Sequence, residues 1–557
     1  MSSFNELVRL FTTMPRREKT FVVILVVLFT FSLAQYFVTS GRGALSQDDY
    51  FTEGVVGHVT FVNPLLVDFN ETDRDISELV FSGLIRYDPE AKNFYPDLAE
   101  NFQQSEKGRV VTVTLRSDAL WHDGEPVTAD DVVFTFRDLI QNPAFANPVL
   151  KSTFERVQVE KVDETIVRFT LPQANSYFIS NLTVGIVPQH LLKDTLASEL
   201  ATASFNLTPI GSGPYKAEQV KLSKEGDLVD LTAFENYYGI KPALSKLRIV
   251  TFPDERALIQ EKKALGSISK FSRTSEWYSS LEEDERFAIS PYTLNQFTAL
   301  YFNTQLPLLS STTLRQALAK GLEKDKLVSS IEKRIDSIQI KADPENEAYA
   351  FNLEKARASL AEAGYTRGED GLLRTNTGET VSLNLLTLDL TSSDLTDSIV
   401  KQWKENLGVE VVVTRAEGSE FLDLVNQRNY SVLLIKQNLG YNRDVYPLFN
   451  SSQAAVEPKE GEAAKQPGLN FSNFRSFGTD GLTEAIRIEV NQPDKEKLLS
   501  ELSALLAKEV PVLFISTPVY SYAIEKDLAP FPVDSLDFHS DRLSILPYLT
   551  PNTSDIP

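Results

Sequence analysis

The most regular alternation of apolar and polar side chains lies within the segment from Arg109 to Phe136. Val111, Val113 and Leu115 alternate there with threonine and arginine. Side chains two residues apart lie on the same face of a β-strand. The pattern therefore predicts a strand with one buried face and one polar face.

A tight turn and the start of a helix follow this strand. Asp123-Gly124 indicates the turn, because glycine adopts a positive φ without steric cost. Thr128 and Asp131 have the spacing of a capping box, in which each side chain bonds to the other residue's backbone N–H. The helix that begins there should bury one apolar stripe. We expect that stripe to contain Val132, Val133, Phe136, Leu139 and Ile140.

Apolar residues at helix or strand spacing predict further elements along the chain. We expect helices at residues 75–83, 352–365, 397–407, 421–428 and 498–506. We expect strands at residues 55–61, 157–162, 165–171, 381–388, 409–413, 431–435 and 510–515. Because strands and helices alternate in the second half of the chain, the pattern predicts βαβ units and a mostly parallel sheet.

Two of these helices have a glycine at their predicted end. Gly83 should cap the helix at 75–83, and Gly364 should stop the helix at 352–365. The inward face of the later helix should consist of Leu353, Ala356, Leu360 and Ala363.

An uncharged, mostly apolar run spans residues 21–38. As a helix it would be about 27 Å long, which is close to the thickness of a bilayer core. Basic residues precede it, so the positive-inside rule places residues 1–20 in the cytoplasm and the bulk of the chain outside. Two interpretations stay open: a signal peptide cleaved after Ala34, or an uncleaved transmembrane anchor at 21–39 with a linker at 40–50.

We favour the anchor, because the apolar run continues past the cleavage site and no cysteine is present for lipid attachment after cleavage. The expected location is the cell membrane, crossed in a single pass, with the bulk of the chain extracytoplasmic.

Composition limits the class of protein. The chain has 557 residues, more than one hydrophobic core usually supports, so two or three domains are expected. A formal net charge of -22 argues against a nucleic-acid partner, which needs clustered lysine and arginine. No cysteine occurs and no histidine has zinc-site spacing, so no metal or cofactor is expected. No catalytic motif occurs either, so we predict no catalytic residue and no enzyme.

The phrase WHDGEPVTADDVVFTF, from Trp121 to Phe136, resembles the signature of the family 5 extracellular solute-binding proteins. These are the oligopeptide- and dipeptide-binding receptors of ABC importers. The resemblance covers roughly residues 55–525. Further phrases resemble those of the family, in the family's own order, at residues 84–89, 95–100, 186–192, 209–215, 231–249, 298–304, 314–319 and 352–365.

Two of these phrases should have local structural roles. Trp121 and His122 should pack or bond locally. Residues 209–215 (PIGSGPY) contain two glycines and a proline and should form a tight, irregular turn.

The resemblance implies an α/β fold of the periplasmic-binding-protein type II, with two α/β lobes around a ligand cleft and an extra domain on the first lobe. Lobe one should comprise residues 51–83, 208–302 and 518–557, the extra domain residues 84–207, and lobe two residues 303–517. The chain should cross between lobes near residues 301–304 and 515–518. Residues 451–468 lack a buriable face and should form a mobile insertion in lobe two.

The resemblance also implies where the ligand is held. In peptide-binding members, an aspartate late in lobe two pairs with the amino terminus of the peptide. The corresponding phrase here is residues 436–448 (KQNLGYNRDVYPL), in which Tyr441 stands at the position of that aspartate and Asp444 aligns with the second aspartate. A buried ammonium without a carboxylate partner is costly. Three alternatives stay open: Asp444 takes the role, the ligand lacks a free amino terminus, or binding is degenerate.

Other site candidates carry alternatives of their own. Tyr441 and Asn442 could stack on or hydrogen-bond a neutral ligand, and Asp444 could instead be a solvated loop acid near Arg443. Asn303 and Thr304 could offer polar groups at the hinge, or they could cap a strand end. Tyr215 could line the cleft or belong to the core.

The chain is thus expected to be a membrane-anchored, extracytoplasmic solute-binding protein that captures peptides and delivers them to an ABC transporter. Its expected partners are a peptide or other small solute, the permease subunits of the transporter, and the membrane through residues 21–38. The alternatives are an anchored scaffold or sensor without import, or a receptor for a non-peptide solute.

Overall fold

The computed structural model describes residues 50–67, 70–273, 275–329, 331–342, 349–388, 393–456, 468–528 and 534–548. The predicted tail and transmembrane segment lie outside the described residues, as do nearly all of the linker and most of the insertion expected at 451–468. Among the residues that the structure describes, no helix is both long enough and apolar enough to cross a membrane.

Runs of strands and single helices follow one another along the described chain. The strands are β1 Phe51–Val56, β2 Ile85–Asp88, β3 Asn93–Pro96, β4 Ala99–Ser105, β5 Val110–Leu115, β6 Gln158–Lys161, β7 Ile166–Thr170, β8 Tyr215–Lys221, β9 Leu228–Ala233, β10 Lys246–Phe252, β11 Ser267–Ser272, β12 Phe287–Leu294, β13 Gln296–Phe302, β14 Glu332–Arg334, β15 Thr366–Arg367, β16 Leu373–Arg374, β17 Ser382–Leu388, β18 Glu410–Ala416, β19 Val432–Asn438, β20 Val512–Glu525 and β21 Ser535–Leu536.

The α-helices are α1 Glu71–Val80, α2 Ala129–Val133, α3 Pro148–Phe154, α4 Gln189–Leu192, α5 Glu255–Glu261, α6 Tyr278–Glu282, α7 Pro307–Ser310, α8 Thr312–Lys320, α9 Leu353–Glu362, α10 Ser393–Gln402, α11 Gly418–Asn426, α12 Tyr446–Phe449, α13 Phe477–Ile488 and α14 Gln492–Glu509. Two π-helical segments, Phe134–Ile140 and Trp403–Leu407, directly extend α2 and α10.

One large sheet passes through both halves of the chain, in the order β18-β17-β19-β13-β20-β11-β1-β10-β9-β8. Strand β1 is parallel to both of its neighbours, and so is β17. The pairs that involve β13, β20 and the β8–β9 hairpin are antiparallel. The expectation of a mostly parallel sheet is therefore wrong: the sheet is mixed, because hairpins and the long strand β20 interrupt the βαβ units.

Strand β20 joins the two halves of this sheet. Its residues 512–516 pair with β13, whereas residues 519–525 pair with β11 and β12. The second connection lies at Asn295, between β12 and β13, which is earlier than the crossing expected at 301–304. We use lobe one for the half that contains β1 and β8–β12, and lobe two for the half that contains β13 and β17–β19. The domain limits implied by the resemblance stay predictions.

The segment from Arg109 to Phe136 folds as expected. Strand β5 buries Val111, Val113 and Leu115, and it belongs to a separate sheet of order β4-β5-β7-β6. Thr128 and Asp131 form the capping box at the start of α2. The expected apolar stripe is buried throughout: Val132, Val133, Phe136, Leu139 and Ile140.

The glycine expected to cap the helix at 75–83 has another role. Helix α1 begins earlier, where the Asn70 side chain accepts two backbone N–H bonds, and it ends at Val80. Gly83 lies beyond it against a neighbouring chain segment, where a Cβ would stand 2.5 Å from the carbonyl oxygen of Thr183. Gly83 is therefore required by a close backbone approach, and its assignment as a helix cap is wrong.

Gly364 does follow the end of α9, with a φ of +88°. On the inward face of α9, Ala356 and Leu360 are buried and Leu353 is half-buried. Ala363 is exposed, so that part of the predicted face is wrong, because Ala363 occupies the C-cap position beyond the last helical residue.

The signature phrase and the glycine-rich phrase contact each other. The backbone N–H of His122 donates to the carbonyl of Gly211 (2.8 Å), whose own N–H donates to Nδ1 of His122 (3.2 Å). Nε2 of the same ring bonds to the carbonyl of Gly213 (3.0 Å). Burial lowers the pKa of His122 to about 4, so the ring is neutral and can act as donor and acceptor at once.

The glycines of the PIGSGPY phrase allow this loop to lie against the end of α1. A Cβ on Gly211 would stand 1.9 Å from the carbonyl oxygen of Val80, and a Cβ on Gly213 would stand 2.6 Å from that of Leu79. Neither glycine has a positive φ. Lack of space, rather than turn geometry, is therefore what requires glycine here.

Beside α1, a buried ionic network joins the two ends of the described chain. The guanidinium of Arg542 donates to both carboxylate oxygens of Asp75 (3.0 and 2.8 Å) and to Glu53. Lys270 forms a second ion pair with Asp75, at 2.7 Å. Burial acts to raise the pKa of Asp75, but the charges of Arg542 and Lys270 outweigh it and lower that pKa to about 2.

We predict that Gly211→Ala lowers the free energy of unfolding by about 1–3 kcal/mol or more, because the added methyl group overlaps a backbone carbonyl that cannot rotate away. Gly481→Ala in α13 is the matched control: a Cβ there meets nothing within 4 Å. Alanine should stabilise that helix by about 0.5–1 kcal/mol. Urea denaturation measures both, and equal effects of the two substitutions would contradict the steric explanation.

Candidate functional site

A cavity of about 160 Å³ lies where three parts of the chain meet. From lobe one it is lined by Pro64, Val67, Arg74, Ser77, Glu78, Phe81 and Phe538. From the predicted extra domain it is lined by Val149, Leu150, Thr153, Ser180, Asn181, Thr183, Val184 and Gly185. From lobe two it is lined by Leu439, Tyr441 and Asn442, which lie in the loop after β19.

A second cavity of about 50 Å³ has two lining residues in common with the first. Glu78 and Tyr441 line both cavities. Arg86, Tyr87, Tyr215 and Asp541 line the second one. The pair Glu78 and Tyr441 therefore marks the boundary between the two spaces.

Tyr441 is the centre of an aromatic cluster drawn from different parts of the chain. Its ring centroid lies 4.7 Å from that of Phe538, 4.9 Å from that of Tyr87 and 6.1 Å from that of Phe94. Its hydroxyl donates to Oδ1 of Asp541 at 2.5 Å. The lobe-two loop is thereby held against the β2–β3 hairpin and against the C-terminal segment of lobe one.

Two further polar contacts join lobe two to the rest of the molecule. Arg443 forms an ion pair with Asp537 (2.7 Å) and donates to the Tyr87 hydroxyl (3.2 Å). Lys495 on α14 donates to the Ser176 hydroxyl (2.9 Å), and its ammonium lies 4.1 Å from the centroid of the Tyr177 ring. Removing these charged groups from water costs free energy, and their new partners offset that cost. The contacts therefore favour one relative position of the lobes.

Asp444 lines neither of the two cavities. Its Oδ2 lies 3.1 Å from Nε of Arg487, and its Oδ1 accepts the backbone N–H of Tyr446 (3.0 Å). Burial raises the pKa of Asp444, and the charge of Arg487 opposes that rise. The alternative of a solvated loop acid near Arg443 is wrong, because the side chain of Asp444 is buried and its ion partner is Arg487.

The remaining sequence candidates differ in their surroundings. Asn303 donates to the carbonyls of Arg428 and Tyr430 (both 3.2 Å), and Thr304 donates to the carbonyl of Ser472 (3.1 Å). Both are buried and face protein backbone rather than a cavity. Tyr215 is buried too, and its hydroxyl donates to the carbonyl of Leu244 (3.0 Å).

Of the six candidates, the structure thus brings Tyr441 and Asn442 to the larger cavity, and Tyr215 and Tyr441 to the smaller one. Asn442 is exposed, and its side-chain oxygen accepts the backbone N–H of Asp444 (3.1 Å). The assignment of these residues to ligand binding stays a prediction.

The sequence interpretation missed the charged residues of α1. Arg74 lies with its guanidinium carbon 4.2 Å from the centroid of the Phe538 ring, at the edge of the larger cavity. Glu78 follows one turn later. Its carboxylate has no hydrogen bond or ion pair with any residue that the structure describes. The only sequence signal was the amphipathic pattern of α1, which does not distinguish a cavity wall from solvent.

Burial also perturbs Asp541, the acceptor of the Tyr441 hydroxyl. Its Oδ2 accepts the backbone N–H groups of Asp537 and Phe538, both at 2.9 Å. These hydrogen bonds favour the ionised form, but burial dominates and raises the pKa of Asp541 from 3.8 to about 7. Nearby Asp537 adds to the rise.

Metal-ligand geometry does not occur among the residues described. No three histidine, aspartate or glutamate side chains there are arranged to hold a metal ion.

Comparison with known proteins places this chain among solute-binding proteins. The family model for bacterial extracellular solute-binding proteins, family 5 middle, matches residues 93–456. The oligopeptide-binding protein AppA of Bacillus subtilis is 25% identical over 549 residues, which cover 92% of this chain and 96% of AppA. The dipeptide-binding protein of Escherichia coli K12 is 22% identical, over 86% of this chain and 91% of that protein.

Solved structures support the same fold. The crystal structure of NikZ from Campylobacter jejuni, in complex with Ni(L-His), superimposes with a TM-score of 0.66 at 24% identity and covers 89% of this chain and 99% of NikZ. At that identity the likeness concerns the fold alone, which is an α/β periplasmic-binding-protein fold.

The raised pKa of Asp541 predicts how stability depends on pH. Between about pH 4 and pH 7 the folded protein keeps a proton that the unfolded chain has lost, so stability should fall as the pH rises through that range, by up to about 1.4 kcal/mol per pH unit. Asp541→Asn should remove this contribution. Urea denaturation at several pH values measures the slope; Glu100→Gln, on the exposed edge of β4, is the control. An unchanged slope in Asp541→Asn would contradict the assignment.

Proposed function

The chain belongs to the family 5 bacterial extracellular solute-binding proteins, and on this premise we propose that it captures a peptide or other small solute in the cavity between its lobes and delivers it to an ABC importer. The observation that carries the proposal is the position of the larger cavity. Its walls come from lobe one, the predicted extra domain and lobe two. A ligand in that space would contact all three and favour the closed arrangement of the lobes.

Within this proposal, Tyr441 and Asn442 are the lobe-two residues that contact the solute, and α1 with Phe538 forms the opposite wall. Tyr215 acts indirectly, by supporting the floor of the smaller cavity. Asn303, Thr304 and Asp444 support the site through backbone and ion contacts. Closure is the signal that a permease would recognise, because only the closed arrangement brings both lobes into one surface.

The peptide class rests on the relatives. The Bacillus subtilis and Escherichia coli proteins carry oligopeptide-binding and dipeptide-binding names, and both align over most of this chain. The membrane-anchored location rests on the apolar run at residues 21–38 and its flanking charges.

Peptide binding predicts a thermal shift. A ligand at about 100 times its Kd stabilises the native state by about 2.7 kcal/mol, so the midpoint of unfolding should rise by several degrees. Pools of dipeptides to nonapeptides serve as probes for the purified protein. The double variant Tyr441→Ala with Asn442→Ala should show a smaller shift, whereas Gln103→Ala on the exposed face of β4 should match the wild type. No shift with any pool, together with a shift by a non-peptide solute, would overturn the peptide class.

Anchoring predicts an intact N-terminal segment. When the protein is expressed in a bacterial host and the membrane fraction is isolated, N-terminal sequencing should find the residues before the apolar run still present. The protein should stay with the membrane in high salt and dissolve only in detergent, because a spanning helix is held by the hydrophobic effect rather than by charge. A mature terminus at Gln35 would show cleavage and contradict the anchor.

A further inference from the structure

Glu78 lies in the proposed binding region, and its carboxylate forms no hydrogen bond or ion pair with the residues that the structure describes. It lies on α1 and lines both cavities. The neighbouring carboxylates are engaged: Asp541 accepts the Tyr441 hydroxyl, Asp75 accepts from Arg542, and Asp97 accepts the Tyr238 hydroxyl. Glu78 therefore differs from them in having its acceptor capacity available to a ligand.

The charge of Glu78 is costly in this position. Burial raises its pKa, and the charges of Arg74 and Arg86 oppose that rise only in part. A carboxylate removed from water needs a cation or several hydrogen-bond donors to compensate it. A ligand with an ammonium group would supply both, because an ammonium carries a full charge and three N–H donors.

The size of the cavity indicates how much of a ligand it holds. A volume of about 160 Å³ corresponds to about five water molecules at about 30 Å³ each. This is the size of one end of a small solute, such as the amino-terminal residue of a peptide. Arg74 lines the same cavity, so its walls carry both signs of charge.

We propose that Glu78 is the specificity-determining residue of the site: its carboxylate pairs with the ammonium group of a small solute, such as the amino terminus of a short peptide. This assignment rests on the proposed function. In this assignment a lobe-one residue recognises the ammonium group. The resemblance at residues 436–448 would instead give that role to Asp444 in lobe two. The ion pair of Asp444 with Arg487 leaves that carboxylate a structural role in lobe two.

The test compares two matched sets of probes on the full chain purified in detergent. One is a pool of dipeptides with free amino termini, and the other is the same pool N-acetylated, which removes the positive charge and leaves the rest of the ligand in place. The affinities are measured by calorimetry for the wild type, Glu78→Gln, Asp444→Asn and the surface control Glu100→Gln. Thermal unfolding without ligand shows that each variant is folded.

In the wild type and in Glu100→Gln, acetylation should weaken binding about tenfold or more, as expected for loss of a charge-assisted pair. In Glu78→Gln the free-amine pool should bind about as weakly as the acetylated pool, whereas Asp444→Asn should keep the wild-type preference. Glutamine has nearly the same shape as glutamate but no charge. Loss of the preference for the free amine would therefore show that the charge of Glu78 causes it.

Three other outcomes would overturn the assignment in distinguishable ways. Equal binding of both pools to the wild type would remove the role of Glu78 and leave solute capture intact. A preference that survives Glu78→Gln but is lost in Asp444→Asn would transfer the pairing to Asp444. Binding of neither pool would overturn the peptide function and the role of Glu78 with it.

Discussion

The buried ion network around Arg542 is the constraint on which the proposed binding region depends. Arg542 lies in the C-terminal segment, Glu53 in the first strand and Asp75 on α1, and all three side chains are almost completely buried. Removing one partner of such a network leaves an uncompensated buried charge, which typically costs 3–5 kcal/mol. The same helix carries Arg74 and Glu78, and the same C-terminal segment carries Phe538 and Asp541. The network therefore determines where the lobe-one wall of the cavity stands.

The opposite wall is held by contacts of a different kind. Tyr441 packs on three aromatic rings and donates to Asp541, while Arg443 and Lys495 form polar contacts with Asp537 and Ser176. These contacts lie in a loop and near the start of a helix, and Arg443 is partly exposed, in contrast to the fully buried network under α1. In the proposed function this difference matters, because a receptor needs one rigid wall and one wall that can separate from it to admit the ligand.

Much of the local structure followed from sequence pattern, where short-range physics decides the outcome. The capping box of Thr128 and Asp131, strand β5 and the stop at Gly364 each depend on residues within a few positions of one another. Predictions failed where a distant segment determined the role. Residue 83 must be glycine because the carbonyl of Thr183 leaves no room for a Cβ. The sheet is mixed rather than parallel because β20 pairs in antiparallel fashion with strands from both halves of the chain.

The candidate site shows the same division. By itself the sequence determined the family, the α/β class and the loop at residues 436–448 that reaches the cavity, because these are carried by contiguous phrases. Only the tertiary structure decided which side chains of that loop face the cavity and which are already paired. Asp444 forms an ion pair with Arg487, which lies on a helix and follows it by 43 positions in the sequence. Glu78 is far from Tyr441 in the sequence, yet the two line the same cavity. Whether a carboxylate is available to a ligand depends on partners in space, and amino-acid order does not encode those partners locally.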